Sequence, residues 1–381
     1  MKQIKLKGKD IFDGTRLLGP DKVLILSPDG TVADIVTTAA ANGDIQELDG
    51  ILCPGFVNTH CHLELSHMKG VIAENTGLPA FLTQVMQLRN QPVDDYDALI
   101  NQAEQAMWEA GVSAVGDICN NTTTLEKKQQ GKMYYHSFVE CMGVADAGAA
   151  SRYQYSMEVL KAFRDINNSH HQCSIVPHAP YSVSPTLFRL LAATPHNTPL
   201  SIHNQETAAE NELYQQKTGD FLQFYAHFGM DSSGIQPTHT NSLEAYLPYF
   251  SHNRMLLVHN TFTSIADIQF AQQQPLETWW CLCPNANMYI ENRLPNIPLL
   301  RAQQCLITLG TDSLASNHHL SIWEEIKTIQ QHFPEIPLEE ILQWATFNGA
   351  KFLGIQDTYG SFHTGAKPGV ILINQDSKRI I

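Results

Sequence analysis

The chain has 381 residues, 43% hydrophobic and 16% charged, enough for a large buried core and for more than one domain. Its 24 Lys and Arg against 38 Asp and Glu leave a formal charge of −14, which argues against a nucleic-acid or anionic-membrane surface as the main partner. The eight cysteines form no Cys-x-x-Cys pair and fall mostly in apolar strand-like stretches, so reduced core thiols of a cytoplasmic protein are expected.

The opening residues alternate Lys with Ile and Leu and lack the apolar core of a signal peptide. No run reaches the ~18 apolar residues of a membrane span. Residues 1–53 read as short alternating strands, with turns at Asp13-Gly14, Asp29-Gly30 and Asp49-Gly50. The middle of the chain then alternates apolar runs with helical patterns. Eight strands are expected: Ile51–Val57, Val112–Ile118, Tyr134–Glu140, Ser174–Pro177, Leu200–Ile202, Met255–Val258, Trp279–Cys283 and Cys305–Leu309. Helices are expected at Ala98–Ala110 and Ser321–Gln331. This alternation is the signature of parallel βα units, and eight of them make a (β/α)8 barrel, whose chemistry sits on the loops after each strand. A last strand at Gly369–Ile373 is placed to join those of the N-terminus in a small split β domain.

The chain carries 17 histidines, and their positions give the excess meaning. His60 and His62 follow the first strand, and residues two apart on an extended backbone point the same way, into a barrel mouth where both can bind one metal ion. His203 ends the fifth strand, with Glu206 three residues on as a carboxylate suited to general acid/base work. His178 follows the fourth strand and His259 ends the sixth. Asp312 ends the eighth, after a glycine that permits close backbone approach. Taken singly, each has an ordinary structural explanation. Five polar clusters at the C-terminal ends of strands in one inferred barrel point together to a metal site.

The remaining histidines receive no role. His170, His171, His196, His227, His239, His252, His332 and His363 are expected in loops or on the surface, and His136 in the core. His318 and His319 follow the Asp312 loop and are expected to face solvent near the mouth. His67 stays open, as does Glu64, which shares the face of His60 and His62 only if the strand remains extended that far.

These residues resemble the amidohydrolase superfamily, in its branch of cytosolic aminohydrolases and chlorohydrolases. PGFVNTHCH, HAPYSVS, SIHNQE and LGTDSLASN are similar to the family's motifs at strands one, four, five and eight, and GSFHTGAKPGVILIN to its return strand. The resemblance implies a distorted (β/α)8 TIM barrel over residues 55–360, carrying a composite β-sandwich from residues 1–54 and 361–381. It implies one divalent ion, zinc or iron(II), held by His60, His62, His203 and Asp312. Glu206 then resembles the proton shuttle, His259 the residue that orients water or leaving group, and His178 a substrate contact. No lysine ends strand three or four, where two-metal members carry a bridging one, so a single ion is implied. Two departures stand out: Ala286, where relatives often have Ser, and Pro368-Gly369, where an Ala-Asp pair is common.

The activity so implied is hydrolytic deamination of a purine-like ring or nucleoside, a small-molecule reaction compatible with a homodimer. HCHLELSH resembles the aminodeoxyfutalosine deaminases of menaquinone biosynthesis more than the pattern of methylthioadenosine/S-adenosylhomocysteine deaminases. Such a substrate ends in a carboxylate, for which Arg293 in the loop after strand seven, or Lys69 after strand one, is the candidate partner. Guanine deamination, dechlorination or cyclic-amide hydrolysis on the same scaffold are the alternatives, with a catalytically silent scaffold as the reading from another class.

Overall fold

The computed structural model describes residues 3–251 and 253–381; His252 lies outside the described residues. Eight parallel strands form its centre: β1 Phe56–Cys61, β2 Val112–Cys119, β3 Tyr134–Cys141, β4 His171–Pro177, β5 Leu200–Asn204, β6 Arg254–His259, β7 Glu277–Leu282 and β8 Leu306–Leu309. They pair in chain order as two four-stranded sheets, β1 to β4 and β5 to β8. The sheets adjoin at both edges. At one, the amides of Thr311 and Asp312 donate to the His60 carbonyl at 2.9 and 3.1 Å; at the other, the His203 amide donates to the His178 carbonyl at 2.9 Å. Every residue of β1, β2 and β3 is buried, as expected of parallel strands covered on both faces.

Helices lie between the strands. One runs Tyr96–Glu109, capped by the Asp95 side chain, and another Ile322–His332, burying Ile322, Trp323, Ile326 and Ile329 at helical spacing. Both lie within two residues of the sequence expectation. The first expected strand, by contrast, is two. Ile51–Pro54 pairs with Val370–Ile373 and with Asp10–Ile11, whereas Phe56–Cys61 pairs with β2. Gly55 separates them, because a Cβ there would stand 1.9 Å from Ser113 Oγ and 2.6 Å from the Pro368 carbonyl. An unbroken apolar run carries no signal of such a break.

Both chain ends contribute to the two small sheets, one built on Ile4–Lys7, Lys22–Leu26 and Val32–Thr37, the other on the strand pair just named. Leu6, Leu24 and Leu26 of the first and Ile11, Leu52 and Val370 of the second share one apolar cluster. A second cluster covers the C-terminal ends of the central strands: Leu65, Met68, Ile72, Leu78 and Phe81 pack with Tyr181, Phe221, Tyr225 and Tyr289. It roofs the polar groups described next. No helix among the described residues is long and apolar enough to cross a membrane.

Candidate metal and active site

The strand ends deliver the expected residues to one place. His60 and His62 sit at and just beyond the end of β1, His203 in β5, His259 at the end of β6, and Asp312 after β8. His60, His62 and His259 have ring centroids 4.9 to 5.8 Å from a neighbouring imidazole of the group, and His203 lies 4.9 Å from His60. Gly310 makes room for this convergence: a Cβ there would lie 2.8 Å from both Cys281 Sγ and His60 Cβ. Asp312 and His259 take positive φ, 57° and 76°. That region is costly for such residues, and it recurs where surrounding structure imposes a side-chain direction. Asn260 (φ 60°) continues the turn, donating to the Leu257 carbonyl at 2.8 Å and accepting from Asn204 Nδ2 at 2.9 Å.

The innermost atoms are spaced as metal ligands. His60 Nε2 lies 3.1 Å from His62 Nε2 and 3.4 Å from Asp312 Oδ1, and the third side, His62 to Asp312, is 3.2 Å. Ligands 2.0–2.2 Å from one ion stand about 3.0 Å apart at octahedral angles and about 3.4 Å at tetrahedral ones. His203 Nδ1 donates to the His178 carbonyl at 2.8 Å, which leaves Nε2 as the acceptor nitrogen. Ser316 donates to Asp312 Oδ2, leaving Oδ1 toward the imidazoles. His60, His203, His259 and Asp312 bring one ligand atom each within 4.8 Å of one another, as do His62, Glu140 and His203. The donor set fits a divalent cation.

Electrostatics separates the two carboxylates of the site. Burial raises Glu206 well above the usual carboxylate range, and the Asp312 charge adds to the effect. Burial also works against the Asp312 anion, but its hydrogen bond with His60 and the His62 and His259 imidazoles outweigh it and hold this carboxyl well below that range. Burial keeps the imidazoles of His62, His178 and His259 neutral, and it lowers His203 to about 4. Carboxyls shifted in opposite directions within one buried cluster are the arrangement of an acid and a base. Glu206 Oε1 lies 3.6 Å from His259 Nε2.

His178 is half-buried beside the cluster, 4.8 Å from His203 between ring centroids, with Nδ1 2.6 Å from Ser182 Oγ. Arg293 is outside it: exposed, its guanidinium carbon 4.6 Å from the Phe262 ring centroid. Lys69 is exposed. Glu64 turns away from His60 and His62, because the strand ends at Cys61 and a tight helical turn, Leu63–Met68, follows; its carboxylate meets Arg89 at 3.2 Å and the Asn120 amide at 3.0 Å. His67 bonds the Arg89 carbonyl at 3.0 Å. His318 is exposed and pairs with Glu74 at 3.2 Å, and His319 is exposed. His136 is a core residue as expected, but His171 is buried in β4 against Ser137 rather than on the surface.

Sequence reasoning missed Glu140, Asn287 and the Asp117–Lys128 pair. Glu140, next to last in β3, has Oε1 3.5 Å from His203 Nδ1, and burial pushes its carboxyl up to about 8. Asp117 accepts the Leu63 amide at 2.8 Å, directly after His62, and pairs with Lys128 at 2.6 Å. Charged residues inside otherwise apolar strands were the available signal for Glu140 and Asp117.

Residues 51–380 match the model of the amidohydrolase family. The chain belongs to that family. It is a hydrolase acting on carbon–nitrogen bonds. It is 26% identical over 325 residues to an adenosine deaminase of Helicobacter pylori, covering 81% of this chain and 76% of that one. An aminodeoxyfutalosine deaminase of Nitratiruptor is 25% identical over 282 residues, 73% of this chain and 67% of its own. In fold, the structure superposes on Helicobacter pylori aminofutalosine deaminase in complex with methylthio-coformycin with a TM-score of 0.83, at 21% identity over 98% of this chain and 93% of that one.

Proposed function

We propose that this amidohydrolase is a cytoplasmic, metal-dependent nucleoside deaminase, releasing ammonia from an adenine ring, with aminodeoxyfutalosine as its substrate. The observation that carries the reading is the convergence of His60, His62, His203, His259 and Asp312, with Glu206 Oε1 3.6 Å from His259 Nε2. The two sheets are read as halves of one (β/α)8 barrel over residues 55–360, and the two small sheets as a β-sandwich from residues 1–54 and 361–381.

His60, His62, His203 and Asp312 would hold one divalent ion, zinc or iron(II). When bound, the ion makes water nucleophilic near neutral pH. Asp312 takes the proton of that water and orients it toward the amine-bearing carbon of the ring. Glu206 delivers a proton to the adjacent ring nitrogen; the carboxylate so formed takes the proton of the added hydroxyl and passes it to the amine, which leaves as ammonia while the carbonyl forms, and the proton held by Asp312 restores Glu206. Burial of these side chains keeps bulk water from competing for the transfers. His178 faces a ring nitrogen or ribose oxygen of the substrate.

A carboxylate at the far end of the substrate needs a cation, and Arg293 is the candidate. It stacks on Phe262, whose amide is bonded to the Gln205 carbonyl next to Glu206. Arg89 is engaged by Glu64. One relative at 25% identity is named for this nucleoside. Comparison of kcat/KM for aminodeoxyfutalosine, adenosine, methylthioadenosine and guanine at equal metal loading tests the assignment. Preference for the carboxylated nucleoside, reduced in Arg293→Ala, is expected. Equal turnover of adenosine or guanine would overturn the substrate and leave the deaminase.

A further inference from the structure

His259 is contacted by a group that no sequence motif singled out. Asn287 lies in the first turns of the helix Pro284–Glu291, which follows β7. Its side chain is fully buried, and its Nδ2 stands 3.2 Å from His259 Nδ1 and 2.8 Å from Thr261 Oγ1. An amide nitrogen only donates. In this amide orientation, with Asn287 Oδ1 buried and without a hydrogen-bond partner, His259 Nδ1 is the acceptor nitrogen of a neutral imidazole and the ring hydrogen resides on Nε2. That atom is buried without a hydrogen-bond partner and faces Glu206 Oε1 at 3.6 Å. The backbone fixes the rest: His259 at φ 76° and Asn260 at φ 60° hold the ring in this orientation, and Asn260 is bonded into both β5 and β7.

We propose that Asn287 is a positioning residue that locks His259 as the Nε2–H tautomer, so that His259 donates a hydrogen bond to the oxygen attacking the substrate and stays out of the metal's ligand set. This rests on the deaminase reading for its catalytic consequence, but the tautomer itself does not. A ring nitrogen that carries hydrogen has no lone pair for a cation, so His259 is excluded as a ligand although its ring lies within ligand distance of His60, His203 and Asp312. The same hydrogen points where negative charge develops when water adds to the ring carbon, the position from which a fixed donor accelerates the step. Asn287→Asp is nearly isosteric and reverses the polarity: its carboxylate draws the hydrogen to Nδ1 and leaves Nε2 with a lone pair.

Nitrogen-15 NMR of histidine-labelled, metal-free protein reads the tautomer directly, with His259→Asn identifying the resonances. The wild type is expected to show a protonated Nε2 and an unprotonated Nδ1 at residue 259; the reverse pattern overturns the proposal whatever the enzyme turns over. In folded Asn287→Asp the pattern should invert, and kcat on the best nucleoside should fall ~10²–10³-fold, the loss typical of one such donor, with KM changed less than about threefold. If that variant fails to fold, Asn287→Ala serves: a mixture of tautomers and an intermediate kcat are expected. Wild-type kcat in either folded variant refutes the role of Asn287. An absence of deaminase activity together with the expected wild-type tautomer refutes the functional reading and leaves the positioning intact.

Discussion

Lys128 and Asp117 offer the sharpest test of how the core supports the site. Both side chains are fully buried, their charged atoms 2.6 Å apart, and Lys128 Nζ also lies 2.8 Å from Cys119 Sγ and 4.7 Å from the Phe163 ring centroid. Burial alone would discharge the lysine, but Asp117 and Cys119 outweigh it and hold the ammonium firmly charged. Replacement by Met preserves the stem and leaves a carboxylate with only neutral donors, the Leu63 amide at 2.8 Å and the Cys119 thiol at 3.9 Å. Breaking a buried pair from one side costs ~3–5 kcal/mol. An unfolding entropy of ~2.1 cal/mol/K per residue gives ~0.8 kcal/mol/K for this length, so Lys128→Met should lower Tm by about 4–6 °C. Calorimetry and urea titration of metal-free protein measure it. Adding Asp117→Asn removes the stranded charge but keeps an acceptor for Leu63, and should recover at least half the loss. A single variant within about 1 kcal/mol of wild type, or a double variant as unstable as the sum, would refute the reasoning. Because Asp117 anchors the residue after His62, the loss should extend to metal affinity.

Glu206→Gln keeps shape and hydrogen bonding but cannot carry a proton; metal content by elemental analysis should match wild type while kcat falls ~10²–10⁴-fold. His60→Ala and Asp312→Ala should each lose most of the metal, against about one ion per chain in the wild type; two tightly held ions would contradict the single-ion assignment. Glu325 is fully buried between the Asn285 amide and Asn317 Nδ2, at 2.9 and 2.8 Å, and burial pushes its carboxyl up to about 8. A carboxyl raised on folding binds more protons in the native than in the unfolded state, so its contribution is present below the unfolded value of ~4.3 and is lost as pH rises through about 8. The urea midpoint of wild type should therefore fall relative to Glu325→Gln between pH 5 and about 8.5; a difference that is flat or rises with pH would refute this. Gly310→Ala places a methyl 2.8 Å from Cys281 Sγ and His60 Cβ, and should reduce metal content more than it reduces helical circular dichroism.

The strand pattern and the polar residues after each strand were legible in the sequence because parallel strands read as apolar runs whose ends are marked by histidines and an aspartate. All four candidate ligands, Glu206 and His259 come together where that reading put them. The boundary at Gly55 was not legible, since Ile51–Pro54 and Phe56–Cys61 serve two different sheets without any change of composition. Glu64 was undetermined for a similar reason: whether a strand continues two residues further is decided by the turn Leu63–Met68 and by Arg89, far along the chain. Asn287, Glu140 and Asp117 act through partners 28, 63 and 11 residues away (His259, His203 and Lys128), and short motifs do not report such distances.

The central claim is that this cluster deaminates a purine nucleoside with water. Turnover in ¹⁸O-labelled water by protein carrying one metal ion per chain tests it most directly. The account predicts equal amounts of ammonia and of a product bearing one ¹⁸O at the carbon that held the amine, from at least one adenine nucleoside, and formation of both ~10²–10⁴-fold more slowly by Glu206→Gln at matched metal loading. Fully loaded wild-type protein that releases no ammonia from any of these nucleosides would contradict it.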